Sequence, residues 1–156
     1  MPFLPSLNPR IVDALYCEAL VLADEVRSQF DRARALAERA SGDGEDLDRV
    51  ALSCEALRTT TRVMHCMAWL LNHRAHFAGE LSELQLRRHG KLISSFPPSE
   101  PEVVARLPHL LQQLIGETER LYERIQRLEN AWRGAPLAGA PGALERLRER
   151  LAAQAH

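Results

Sequence analysis

Three long apolar rows, each stepping by three or four residues, constrain this chain more than any other feature of its sequence. The first is Leu15, Ala19, Leu22, Val26, Phe30, Ala33, Ala37 and Ala40. The second is Leu47, Val50, Cys54, Leu57, Thr61, Met64, Ala68, Leu71 and Ala75, alternating steps of three and four throughout. The third is Leu107, Leu111, Leu114, Thr118, Leu121, Ile125, Leu128 and Trp132. Such spacing puts each row on one face of a helix, and a mean step of 3.5 residues packs helices at shallow crossing angles. No segment sustains period-two alternation of β-branched and aromatic residues, so a sheet is not expected. The expected fold is an all-α, antiparallel three-helix bundle.

Local signals place the ends. Asn8-Pro9 is a helix start, because asparagine caps exposed N–H groups and proline at the first position has no N–H to waste. Ser41-Gly42-Asp43-Gly44 stops the first helix, and Gly79 the second, which should begin near Asp46. Ser82-Glu83-Leu84-Gln85 fits a capping box and predicts a short helix over 82–89, closed by Gly90. Pro97 and Pro98 disfavour helix before them, so 94–99 should be extended. Ser99-Glu100-Pro101-Glu102 is another candidate start, and Pro108 should kink or restart the third helix. After Trp132 the chain reads RGAPLAGAPG, the composition of a flexible linker. Residues 143–154 predict a short amphipathic helix with Leu144, Leu147 and Leu151 on one face. The expected domains are therefore a bundle over 1–132, a linker over 133–142 and a tail helix over 143–156.

A chain of 156 residues suits one domain. Hydrophobic residues make up 46% and charged residues 26%, a balance that argues against wholesale disorder. Basic and acidic residues number 20 and 21, so nothing at this level points to nucleic acid or an anionic membrane. No apolar run nears the roughly 20 residues that span a bilayer, and MPFLPSLNPR lacks a signal peptide's apolar region. Membrane insertion is not expected. Cys17, Cys54 and Cys66 are an odd number without close pairs, which suggests reduced thiols in a cytoplasm.

The unusual chemistry is concentrated in TTTRVMHCMAWLLNHRAH, residues 59–76. At about 100° per residue, Cys66, Trp69, His73 and His76 fall within about 40° of Arg62. His65 and Asn72 sit at the edge of that sector. Val63, Met64, Met67, Leu70 and Leu71 lie between roughly 80° and 200°, the sector expected to face the core. A metal site would need Cys66 and His73 to converge, yet seven residues separate them by about 10.5 Å. Only His73 and His76 could share an ion, and no HExxH, CxxC or ExxH pattern adds ligands. A Cys66–His catalytic pair lacks an oxyanion loop or partner carboxylates. No cofactor, metal or enzymatic activity is expected.

Trp69 with Arg62 matches the composition of interface cores. Arg62, His65, Trp69 and His73 are accordingly candidate partner- or dimer-binding residues. The alternative is that another part of the chain covers Trp69, and the sequence leaves both open. Arg74 falls in the apolar sector and should snorkel out or pair with an acid such as Glu80. Arg87-Arg88-His89-Gly90-Lys91 reads as a solvated connector more than an anion site.

Glu55, Arg58, Thr60, Thr61, Arg62, Met64, Trp69, Leu70, Leu71, Arg74, Ala75, Gly79 and Glu80 read E-x-x-R-x-T-T-R-x-M-x-x-x-x-W-L-L-x-x-R-A-x-x-x-G-E. This resembles the central motif of the RcdA family, the alphaproteobacterial regulators of CtrA degradation. Val63, His65, Cys66 and His73 depart from that family's apolar or amide residues. The resemblance implies a non-catalytic, dimeric three-helix bundle with a flexible C-terminal tail. It implies an adaptor that brings cell-cycle regulators to the ClpXP protease. The expected partners are then a second copy, ClpX or ClpXP, a response-regulator cargo and accessory adaptors. The expected location is the cytoplasm, concentrated at a cell pole. The tail leucines Leu144, Leu147 and Leu151 would dock to a partner or to the delivery apparatus. The rivals are a structural or polar-scaffold protein without a proteolytic role and a His/Cys metal-binding protein.

Overall fold

The computed structural model describes residues 7–40, 45–93, 96–134 and 143–154. They form six helices: α1 (Pro9–Arg39), α2 (Glu45–Phe77), α3 (Glu83–His89), α4 (Pro101–Val104), α5 (His109–Gly134) and α6 (Ala143–Gln154). Among the described residues there is no strand, and no helix is long and apolar enough to cross a membrane. The fold is all-α, built on α1, α2 and α5.

The starts of α1 and α3 follow local chemistry. Asn8 Oδ1 accepts from the Arg10 N–H at 2.9 Å, with Pro9 next in the chain. The Ser41–Gly44 stop lies outside the described residues. The second helix ends at Phe77 in a left-handed stop. Gly79 has φ +82°, its N–H donates to His76 O at 3.0 Å, and the Glu80 N–H donates to Ala75 O at 2.9 Å. Both halves of the Ser82–Gln85 capping box form, at 2.9 and 3.1 Å. Gly90 closes α3, and a Cβ there would lie 2.7 Å from the Leu86 carbonyl oxygen. The start at Pro101 yields only one turn, α4, and the chain restarts after Pro108 as α5.

The core follows two of the three predicted rows. On α1, Leu15, Ala19, Leu22, Val26 and Phe30 are buried, joined by Val12. On α5, Leu111, Leu114, Thr118, Leu121, Ile125 and Trp132 are buried. The α2 row is not. Leu47 is 81% exposed and Leu57 70%, and Val50, Met64 and Leu71 are also exposed. The face of α2 that meets α1 and α5 instead carries Leu52, Glu55, Ala56, Thr59, Arg62, Val63, Cys66, Trp69, Leu70 and His73.

Direction follows from the contacts. Arg74 and Arg49 of α2 reach Asp13 and Ala37 of α1, so these helices are antiparallel. Along α5, Arg62 reaches Thr118 while His73 stacks near Trp132, so α2 and α5 run parallel. That arrangement requires the chain between them to travel back along the bundle, and it does. Leu92 is bonded to Glu129 and Ser99 to Glu119, a descent along α5 towards its start.

Candidate interaction surface

The two faces of α2 carry different chemistry, and apart from Val63 and Leu70, which face the core as expected, both reverse what the sequence suggests. The inner face holds the polar groups. Arg62 is 1% exposed, although it is an arginine in the middle of a core. Its Nη1 donates to Thr118 Oγ1 and its Nη2 to Ser99 Oγ, both at 3.0 Å, with Glu119 Oε1 3.6 Å from Nη2. Ser99 Oγ in turn donates to Glu55, and its backbone N–H to Glu119 at 3.0 Å. Glu55 also faces Arg58 at 3.5 Å and Thr59 at 3.4 Å. Burial lowers the Arg62 pKa, and the carboxylates of Glu119 and Glu55 oppose that shift. The motif residues Glu55, Arg58 and Arg62 thus form one buried network that holds the returning connector against α2 and α5. A buried guanidinium is tolerable only when its donors are matched in this way.

About two to three turns beyond Arg62 along α2, the inner face becomes aromatic. Trp69 and His73 stack with ring centroids 3.9 Å apart, and Trp132 meets His73 edge-on at 5.0 Å. The Arg87 and Arg133 guanidiniums lie 4.6 and 5.5 Å from the Trp132 centroid. Neither ring nitrogen of His73 has a hydrogen-bond partner, nor has the Trp69 indole N–H. Burial, helped by His76 and Arg133, lowers the His73 pKa to about 4, so the ring is neutral at pH 7. Burial pushes the Cys66 thiol up to about 12, which keeps it protonated and makes it a packing group.

These placements correct several expectations. Arg62, Trp69 and His73, candidate partner contacts in the sequence, are covered within the chain and cannot meet a partner directly. The connector and α5 do the covering. His65 is only half-buried, with its ring 5.5 Å from that of Phe96. His76 Nδ1 faces Leu81 O at 2.9 Å. Among the described residues no cluster of three His, Cys, Asp or Glu could hold a metal. Arg74 pairs with Asp13 of α1 at 3.0 Å and lies over Tyr16 at 4.3 Å, not with Glu80. Within the basic run, Arg87 is half-buried and pairs with Glu83 at 3.3 Å, while Arg88, His89 and Lys91 are exposed.

Of the other motif positions, Thr60 and Glu80 are exposed, Thr61 is half-buried and Gly79 supplies the stop. In the tail, Leu147 and Leu151 are exposed, and the side chain of Leu144 lies outside the described residues. The surface that sequence reasoning missed is the outer face of α2. Its row Leu47, Val50, Cys54, Leu57, Met64, Ala68 and Leu71 is exposed along nearly the whole helix. The signal that separates the two faces is Trp69: the largest apolar side chain of α2 belongs to the face that also carries the charges.

Residues 4–154 match a family described as proteins of unknown function, DUF1465. No curated protein and no solved structure matches the chain.

Proposed function

The chain belongs to the DUF1465 family, and we propose that it works without catalysis, as a homodimeric adaptor in regulated proteolysis. The observation that carries this reading is the exposed apolar row of α2. Scattered apolar residues are ordinary on a protein surface, but a continuous row along one helix marks a contact face. Leu147 and Leu151 add a second, smaller apolar strip on α6. The likeness of the Glu55-to-Glu80 motif to the RcdA family supplies the particular role. Cell-cycle response regulators would be the cargo, ClpXP the protease, and the cytoplasm, at a cell pole, the place of action. The buried network around Arg62 keeps the bundle rigid, so that the outer face of α2 is presented from a fixed scaffold.

The test is a capture from lysate of the native host. Full-length protein and a version ending at Gly134 are each immobilised, and bound proteins are identified by mass spectrometry. Enrichment of the ClpX unfoldase and a response regulator on the full chain, with ClpX lost on truncation, is the expected result. Recovery of neither withdraws the proteolytic role and leaves a structural scaffold as the better account.

A further inference from the structure

We infer that the outer face of α2 pairs with the same face of a second copy, the two α2 helices lying antiparallel. This rests on the self-association in the reading above and names the surface and geometry that produce it.

The row Leu47, Val50, Cys54, Leu57, Thr61, Met64, Ala68, Leu71, Ala75 is an unbroken heptad pattern, with Leu47, Cys54, Thr61, Ala68 and Ala75 at one core position. Val50, Leu57, Met64 and Leu71 occupy the other. A strict seven-residue repeat is what a helix needs to keep one seam against another helix. Among the described residues that seam is left largely exposed, because α1 and α5 pack on the opposite face of α2. A helix that is apolar on both sides is suited to the middle of an assembly.

The composition of the seam selects its occupant and the orientation. None of the nine positions is charged, so two identical seams meet without repulsion. The only polar group among them beyond the Cys54 thiol, the Thr61 hydroxyl, donates to Leu57 O at 2.7 Å and leaves its methyl to the seam. One heptad position is mostly small and the other large. In a parallel pair, small would face small and large would face large, giving alternating voids and crowding. In an antiparallel pair, Val50 meets the partner's Ala75, Leu57 the partner's Ala68, Met64 the partner's Thr61 and Leu71 the partner's Cys54. Every large side chain then faces a small one, which close packing requires. The seam is about 42 Å long and about 12 Å wide. Two copies would therefore cover on the order of 1,000 Å², the size at which specific interfaces begin.

The full chain is tested by sedimentation from about 1 to 100 µM, as wild type and as Leu57→Asp. Leu57 is exposed within the chain, so the variant keeps its helicity by circular dichroism. The expected result is a wild-type dimer and a dissociation constant raised more than about 100-fold by the buried carboxylate. Orientation is read in a Cys17→Ser, Cys54→Ala background by mixing Val50→Cys with Ala75→Cys chains under mild oxidation. The mixed disulfide should form, and neither variant alone should cross-link. A wild-type monomer at 100 µM, or a dimer indifferent to Leu57→Asp, overturns the surface. Cross-linking of Val50→Cys to itself overturns the antiparallel orientation. None of these outcomes depends on ClpX, so failure here is distinct from failure of the proteolytic role.

Discussion

Arg62 and His73 show how one buried helix face can hold polar groups for two different reasons. Arg62 is buried because its partners are in place: Thr118, Ser99 and Glu119 take its two Nη groups. Arg62→Ala would strand the Glu55 and Ser99 oxygens in the core, and losing one member of a buried charged network costs about 3–5 kcal/mol. Urea unfolding should show that loss, and Arg62→Lys should recover only part of it, since one ammonium cannot replace the guanidinium fork. His73 is buried without partners and stays neutral. Its folded pKa of about 4 lies below the value near 6.5 of an unfolded histidine. Its stabilising contribution is therefore complete above pH 6.5 and is lost as pH falls towards 4, because only the unfolded chain takes up the proton in that window. The slope should be up to about 1.4 kcal/mol per pH unit. Urea midpoints at pH 7.5, 6 and 5 measure it, and the slope should flatten in His73→Phe.

At the scale of elements, the turn between α2 and α3 depends on two small devices. Gly79→Ala forces a side chain into a left-handed backbone and should cost about 1 kcal/mol. Ser82→Ala removes one bond of the capping box and should cost about as much. Amide hydrogen exchange confined to α3 would register both changes. These devices were legible in the sequence because capping and glycine stops are local: Asn8, Gly79, Ser82 and Gly90 each stand where they were expected. The rows of α1 and α5 were legible for a related reason, since each helix has one apolar face. α2 has two. Its regular heptad suggested a core, and although Val63 and Leu70 fell in the sector expected to be buried, the rest of its other face looked polar because Glu55, Arg62 and His73 stand beside Trp69. What decides between them is the partner of Arg62, and Thr118 and Ser99 lie 56 and 37 residues away. Pair contacts of that range leave no periodic trace. The parallel course of α2 and α5 was hidden in the same way, being set by bonds from Leu92 and Ser99 to α5.

For the whole molecule, the polar network closes the bundle and leaves α2 with a finished inner side and an apolar outer side. Stability should therefore depend on protein concentration. If folded chains pair through α2 while unfolded chains do not, mass action raises the melting temperature as the concentration rises. Wild-type protein should melt several degrees higher at 100 µM than at 1 µM, since for a chain of this size about 1 kcal/mol corresponds to roughly 2–4 °C. Leu57→Asp should melt at one temperature across that range, because the substitution removes pairing while leaving the Arg62 network and the aromatic stack untouched. Removal of everything after Gly134 should act differently. Leu147 and Leu151 are exposed, so the truncated chain should keep both the wild-type midpoint and its concentration dependence. Scanning calorimetry of the three proteins at the two concentrations separates the contributions. A concentration-dependent midpoint that survives Leu57→Asp would place the contact on another surface. A midpoint lowered by truncation would mean that α6 packs on the bundle and contributes to the fold, and is not held out for a partner.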